Sequence, residues 1–499
     1  MKNIVLLGGS NSVMVNGLQK GLREYANVTN LALGGTTSIQ NLYELYRPKN
    51  QEAIKNADLI ITESNINDID HHLCKYKQFS LDNIFEELFY LYTKLYLLHK
   101  PICIIILPLY YDNYRVINNM HRFLANYYGF NIVDVNHYYE ENSLVEFGKK
   151  FSYHQMNVVS RNIGKGIAKN IDKFKASDKV IENIYLPEFK VLTPQDMKRF
   201  GDFKIFNPKN SVFNEVVYRL EVDNYLSFKG YEEYRIIGIH SWNLNKNGDA
   251  MRGFYSAADN GRSALVSIYD MFNSNLGTIE TPTFNIFCHI KNEINITSNL
   301  IVKSNKDNFS ITESHMFSWI PPNDTTLPYF DLIAFFLCKP NPKMKLFDLS
   351  IIPSDMEIEI DKDIDRSYLI PNLVFFKDSM EFIDEYIGHL YPNITKHIDS
   401  VLTPQIINKT KSELTPPAPK PTPQPTPQEL EIKSLKEALS KKEKDISSLE
   451  INYQKALNTK NHLSYKLGQA LIKANKNWYK GGYIKFIFEV MRIKKEHRK

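Results

Sequence analysis

Short apolar runs alternate with amphipathic stretches through the first third of this chain. "NIVLL" at 3–7 has the unbroken apolar character of a buried strand, and 13–26 has helical spacing. "NVTNLAL" at 27–33, "ADLIITES" at 57–64, "PICIIILPL" at 101–109 and "FNIVDV" at 130–135 read as four further strands. Helices are expected over 79–99, over "MHRFLANYYG" at 120–129 with Gly129 as the stop, and over 155–174. Continuous rather than alternating apolar strands suit a parallel sheet covered on both faces. The pattern predicts a doubly wound α/β sheet over 1–178, with ligands beyond the carboxyl ends of its strands.

From 180 to 402 the pattern changes. Runs such as "EYRIIGIHSW", "SALVSIYDMF", "TFNIFCHI" and "NLIVKS" are separated by Asn, Gly, Asp and Pro. They predict a mostly antiparallel β domain of sandwich type, with helix returning over 366–402. A linker over 403–428 contains "LTPPAPKPTPQPTPQ" at 414–428, whose composition suits a semi-rigid extended spacer. Ile432, Leu435, Leu439, Ile446, Leu449 and Tyr453 fit an a/d heptad, with Lys442 interrupting it. Residues 429–458 are therefore expected to form a short coiled coil that pairs copies of the chain, or else a solvated single helix.

The chain has 499 residues, too many for one core. Cys74, Cys103, Cys288 and Cys338 are scattered and suggest neither a zinc knuckle nor a disulfide framework. Met1–Leu7 is too short for a signal-peptide core, and no apolar stretch reaches transmembrane length. A cytoplasmic location is expected. The net charge of +5 conceals an asymmetry: residues 460–499 carry eleven Lys/Arg against Glu489 and Glu496, about +9, leaving about −4 for the rest. Nucleic acid is not the expected partner of such a body; the tail should meet something acidic.

Candidate chemistry gathers at strand ends. Ser10 follows the first strand in "GGSNS", where backbone N–H groups can face a developing negative charge. Two glycines in "LALGGTTS" end the second strand and can bring an N–H close to a bound oxygen. Asn67 in "ESNINDID" offers a side-chain amide beyond the third. His154, just before the last helix in "FSYHQMNVVSRNIGKGIA", is placed to reach Ser10 as a general base.

Serine, glycine, asparagine and histidine in this order resemble the SGNH/GDSL hydrolase superfamily, over about 175 residues. The resemblance implies Ser10 as nucleophile, with its own N–H, the Gly35 N–H and the Asn67 amide as oxyanion donors and His154 as base; Gly34 lies one residue from Gly35. No cofactor or metal is implied. Three positions depart from the family pattern: Gly9 stands where it has Asp, Asn65 where it has Gly, and Phe151 where it has Asp three residues before the base. His154 then needs another partner for its far nitrogen. A backbone carbonyl would leave a Ser–His dyad; Asp134, Glu141 and Glu146 are the acidic candidates.

Several other stretches offer chemistry. Asp68, Asp70, His71 and His72 have metal-ligand side chains, but neighbouring histidines diverge, and a surface loop is the expectation. His137 is a competing base. In the β domain His240, Trp242, Arg252, Tyr255 and Arg262 suit sugar contacts or wet loops. The tail over 459–499 has apolar stripes with Trp478 and Tyr479 between them and lysines on the remaining face, suiting an anionic inner-membrane surface or a helix packed on protein. It is similar to C-terminal segments of sugar transferases in capsule loci of Gram-negative bacteria. Together these readings predict a serine transferase or esterase modifying surface polysaccharide, with a polysaccharide or sugar-nucleotide-derived substrate and an acyl or phosphoramidate-type group transferred. The alternative is an inactive SGNH-fold protein that binds glycan or scaffolds polysaccharide assembly.

Overall fold

Five parallel strands build the first layer: β1 (Lys2–Gly8), β2 (Ala26–Asn30), β3 (Leu59–Glu63), β4 (Ile102–Ile106) and β5 (Asn131–Asp134), in the order β2-β1-β3-β4-β5. The computed structural model describes residues 1–397, except 75–77, 211, 251–262, 271–274, 305–309 and 316–325. The expected linker, coiled coil and tail lie outside the described residues, as do Arg252, Tyr255 and Arg262. Residues Met1–Tyr386 form one compact unit and Ile387–Lys499 another. β3, β4 and β5 are buried along their whole length, which is why their sequences run apolar without alternation.

Among the described residues ten α-helices accompany the sheet: α1 (Ser10–Val13), α2 (Leu18–Arg23), α3 (Ser38–Tyr46), α4 (Gln51–Asn56), α5 (Asn65–Leu73), α6 (Leu81–Tyr96), α7 (Tyr114–Tyr128), α8 (Val135–Glu141), α9 (Val145–Lys149) and α10 (Asn157–Lys169). The helix expected over 13–26 is shorter, α2 over Leu18–Arg23, separated by a break from α1, which ends at Val13. The break is stabilised by Gln19 Nε2, which donates to the Val13 carbonyl at 2.6 Å. α7 begins at Tyr114, six positions before the expected start, and ends at Gly129 in the left-handed conformation. The stretch around Asp68 to His72 is not a surface loop but the buried helix α5.

Two mostly antiparallel sheets follow. One holds β7 (Lys198–Phe200), β10 (Tyr225–Ser227), β12 (Ser263–Asp270), β13 (Asn275–Pro282), β15 (Leu300–Ser304), β16 (Glu313–Ser314) and β17 (Thr326–Leu327). The other holds β6 (Glu188–Leu192), β8 (Lys204–Phe206), β9 (Val217–Leu220), β11 (Arg235–Trp242), β14 (Asn285–Asn295) and β18 (Phe330–Lys339). A shared core of Ile236, Ile239, Val266, Ile268, Ile290, Val302, Phe335 and Leu337 joins them as a sandwich.

The second sheet is buried on its other face as well. Phe287, Ala334 and Phe336 belong to the core of the α/β layer, and this is why "FDLIAFFLC" lacks alternation. On that face Tyr43 of α3 packs 4.9 Å from Phe287 and 5.5 Å from Phe336. The Tyr43 hydroxyl also bonds to His240 Nδ1 at 2.9 Å, and His240 Nε2 lies 2.7 Å from Asn285 Oδ1. His240 and Trp242 are thus interior residues. Alongside, Arg47 donates to both oxygens of Glu215 at 3.0 and 2.6 Å, with Glu44 at 3.3 Å.

After the sandwich the chain returns to β5. Ile132 N donates to Ile364 O at 3.0 Å, and Arg366 N donates to Ile132 O at 2.8 Å. Asp365 makes an isolated bridge to β5 and Ser367–Leu369 form a single 3-10 turn, so the α-helix expected from 366 begins only at α11 (Leu373–His397). Phe376, fully buried, sits 5.5 Å from Tyr139 and 5.7 Å from Phe147.

Truncating one partner of a buried ion pair leaves the other charge unpaired, at a cost of about 3–5 kcal/mol. Arg47→Met should cost less than that, about 1.5–3 kcal/mol by urea denaturation, because Glu215, 6% exposed, loses two charged hydrogen bonds but keeps the Lys49 ammonium at 2.7 Å.

Candidate active site

The register of the parallel sheet sets the site. Gly8 at the end of β1 pairs with Glu63 at the end of β3. Leu31 N donates to Leu6 O at 2.8 Å and Leu33 N to Gly8 O at 3.0 Å, so the chain after β2 keeps pace with β1 past its end. Three loops therefore emerge side by side around the point where strand order reverses, the usual ligand position in such sheets. Ser10 opens α1 at the end of the first, Gly34 and Gly35 lie on the second, and Asn67 is in the first turn of α5, which follows the third.

Glu63 organises the first loop. Its Oε1 accepts from Gly9 N at 3.0 Å, Ser12 N at 3.2 Å and Ser12 Oγ at 2.9 Å. Gly8 leaves room for this: a Cβ there would stand 2.6 Å from Ser12 Oγ and 2.8 Å from Glu63 Oε1. Burial pushes the Glu63 carboxyl up to about 7, although its three donors oppose the rise.

His154 Nε2 lies 2.7 Å from Ser10 Oγ. With the ring proton on Nδ1, Nε2 accepts from the serine hydroxyl, as a general base requires. Burial lowers the His154 pKa below the ordinary histidine value. Among the described residues no hydrogen bond to His154 Nδ1 is formed, and the acidic candidates are engaged elsewhere. Asp134 takes Arg122 Nε at 2.7 Å and His137 N at 2.8 Å. Glu146 pairs with Lys149, and Glu141 is exposed.

The loop carrying His154 is held by Asn11, the residue after Ser10. Asn11 Nδ2 donates to Tyr153 O at 3.0 Å, and its Oδ1 accepts from Gln155 N at 3.1 Å. One buried amide thus grips the backbone on both sides of His154. Gln155 continues inward, donating to Pro108 O at 3.1 Å. Ser152 has φ 48°, a left-handed conformation that costs a non-glycine residue about 1–2 kcal/mol. Its hydroxyl meets Tyr111 OH at 3.1 Å.

Asn67 is 7% exposed and donates one amide hydrogen to Thr36 O at 2.8 Å, leaving the second for a bound oxygen. It fits because position 9 is glycine: a Cβ there would lie 2.0 Å from Asn67 Nδ2. Asn65 joins β4, donating to Leu107 O at 2.7 Å and accepting from Leu107 N at 3.0 Å. A Cβ on Gly34 would lie 3.8 Å from Ser10 Cβ, so Gly34 is the glycine against the serine. Gly35 is buried, has φ 67°, and turns its carbonyl toward His71 Nε2 at 3.4 Å.

The four ligand-type side chains of α5 diverge. Asp68 accepts from Ser38 N and Ser64 Oγ, and Asp70 lies against the Tyr153 hydroxyl. His72 lies 2.9 Å from Phe79 O and 2.8 Å from Asn113 Nδ2. Among the described residues no group of three or more His, Cys, Asp or Glu side chains converges as a metal site. His137 does not compete for Ser10: its Nδ1 is 3.0 Å from Glu357, which raises its pKa. Of the residues that matter, Asn11 and Glu63 had no sequence signal of their own. Only the apolar strand ends beside them marked the place.

Comparison with known proteins finds three kinds of result. Residues 431–499 match the family model described as "Domain of unknown function (DUF8374)". No curated protein matches the chain. Among solved structures the chain is similar to an acetyl xylan esterase, AlAXEase, at 16% identity over 32% of this chain and 96% of that one, with TM-score 0.26. It is also similar to the lipase Lip_vut3 from a goat rumen metagenome, at 15% identity over 35% and 99%, TM-score 0.26. A third is the psychrotrophic esterase EstA from Pseudoalteromonas sp. inhibited by monoethylphosphonate, at 14% identity over 35% and 97%, TM-score 0.27.

Two outcomes follow from the geometry. Asn11→Ala should speed exchange of the Gln155 amide hydrogen by about tenfold or more, read by hydrogen exchange, since that N–H loses its acceptor. Glu63 holds its proton more tightly in the folded protein than in the unfolded chain. Its contribution to stability is therefore full below about pH 4.5 and is lost as pH rises toward about 7. Glu63→Gln, which keeps the acceptor oxygen, should flatten the fall of unfolding free energy across that window.

Proposed function

We propose that this chain is a serine-dependent ester hydrolase or acyl transferase working through a Ser10–His154 dyad. The observation that carries the reading is the 2.7 Å contact between His154 Nε2 and Ser10 Oγ, at loops where amide donors converge. Ser10 Oγ attacks the ester carbonyl carbon, and its proton passes to His154 Nε2. The resulting oxyanion meets the free Asn67 amide hydrogen, the Ser10 N–H and an N–H of the Gly34–Gly35 segment. His154 then returns the proton to the departing alkoxide, leaving an acyl-serine. Water or a sugar hydroxyl then attacks the acyl carbon while His154 takes its proton, and as the bond to Ser10 Oγ breaks His154 hands that proton to the departing serine oxygen, restoring the free enzyme.

Surface polysaccharide is the proposed acceptor, near an anionic membrane face, and the basic tail over 459–499 supports this placement. A phosphoramidate-type group is a second candidate for transfer, since the same donors suit a phosphoryl oxygen. One observation favours the other reading, a glycan-binding protein without turnover: among the described residues no carboxylate bonds to His154 Nδ1. In triad enzymes disabling the acid costs about 10⁴-fold in kcat, so a slow enzyme is expected rather than an inert one.

A fluorophosphonate probe should label the wild-type protein and not Ser10→Ala. Labelling of both, or of neither, counts against the dyad. The base must be neutral to act, and burial lowers its pKa. The acid limb of kcat/KM for p-nitrophenyl acetate should therefore have its midpoint below the ordinary histidine value of about 6.5, with activity rising as pH increases.

A further inference from the structure

We propose that Tyr111 and Tyr153 form a stacking platform for a pyranose ring beside the Ser10–His154 pair, so that the ester attacked is one carried on a carbohydrate. This deepens the reading above and rests on it. Tyr153 immediately precedes the base that touches Ser10, and Tyr111 packs on Tyr153 with ring centroids 5.5 Å apart at 65°. Both side chains stand in solvent, Tyr111 39% and Tyr153 38% exposed. The proposed proton transfers use neither ring.

The pair is held in place before any ligand arrives. Tyr111 OH is tied to Ser152 Oγ at 3.1 Å, the Tyr153 hydroxyl lies against Asp70, and Asn11 holds the Tyr153 carbonyl at 3.0 Å. Rigid tyrosines supply flat contact area at low entropic cost. Their surroundings select the ligand. A carbohydrate ring offers a C–H face to stack and hydroxyls at its rim, and the rim groups here are the Asp70 carboxyl and the Ser152 hydroxyl. An acyl tail would need an enclosed apolar slot, whereas these rings are open and edged with polar atoms. A nucleobase could stack too, but the body of the chain carries about −4, which disfavours a phosphate-bearing ligand.

The test has two arms on the full chain. Saturation-transfer NMR with methyl 6-O-acetyl-β-D-glucopyranoside, which keeps three rim hydroxyls, is run on Ser10→Ala, which cannot turn the ester over. Transfer to the ring C–H protons is expected. It should survive Tyr111→Phe in the same background and fall about fivefold or more with Tyr111→Leu. In the Ser10 protein, the ratio of kcat/KM for this sugar ester to that for p-nitrophenyl acetate should drop about tenfold in Tyr111→Leu and hold in Tyr111→Phe. Using a ratio cancels any general loss from a disturbed His154 loop. Absence of transfer in Ser10→Ala, or an unchanged signal and ratio in Tyr111→Leu, overturns the platform. A stronger signal from adenosine monophosphate than from the sugar also overturns it. Sugar binding that depends on Tyr111, in a protein that hydrolyses neither ester, would leave the platform standing and remove the dyad chemistry.

Discussion

One carboxyl oxygen, Glu63 Oε1, gathers three donors from the turn that carries Ser10. Everything else at the site is arranged around that turn. The pairing of Gly8 with Glu63 in the sheet brings the oxygen there, and the missing Cβ of Gly8 lets it come close. From the turn, Asn11 reaches 142 positions along the chain to Tyr153 and fixes the backbone either side of the imidazole. A residue at the bottom of the loop thus sets where the serine stands, and the next residue after the serine sets where the base stands.

The three positions that depart from the resembled pattern fall into two groups. Gly9 and Asn65 are local rearrangements with clear contacts: the first makes space for Asn67, and the second stitches α5 to the end of β4. Phe151 is different. It packs 5.1 Å from Phe147, and its carbonyl closes the turn on His154 N at 3.1 Å, so the position supports the loop rather than the ring. Among the described residues the imidazole is oriented through its backbone and its serine, without the electrostatic partner a triad supplies.

The five parallel strands and the strand-end positions of Ser10 and Asn67 were legible because buried parallel strands write long apolar runs and ligands gather at their ends. The short helices α3, α4, α8 and α9 were not, since segments this brief carry little periodicity. Misreading Asp68 to His72 as a loop has the same origin: α5 is buried through polar side chains that satisfy one another, and hydropathy is blind to that. His240 and Trp242 looked like surface sugar contacts because the buried outer face of their sheet depends on helix α3, far away in sequence. Asn11 and Glu63 act through geometry between distant segments, which no spacing rule encodes.

The sheet containing β11, β14 and β18 serves two cores at once, the sandwich on one side and the α/β layer on the other. Neither layer is then a cassette that could be cut out and fused elsewhere, because each would carry away half of a hydrophobic seam and leave the other half wet. Because the two layers share this seam, they are expected to unfold as a single cooperative piece.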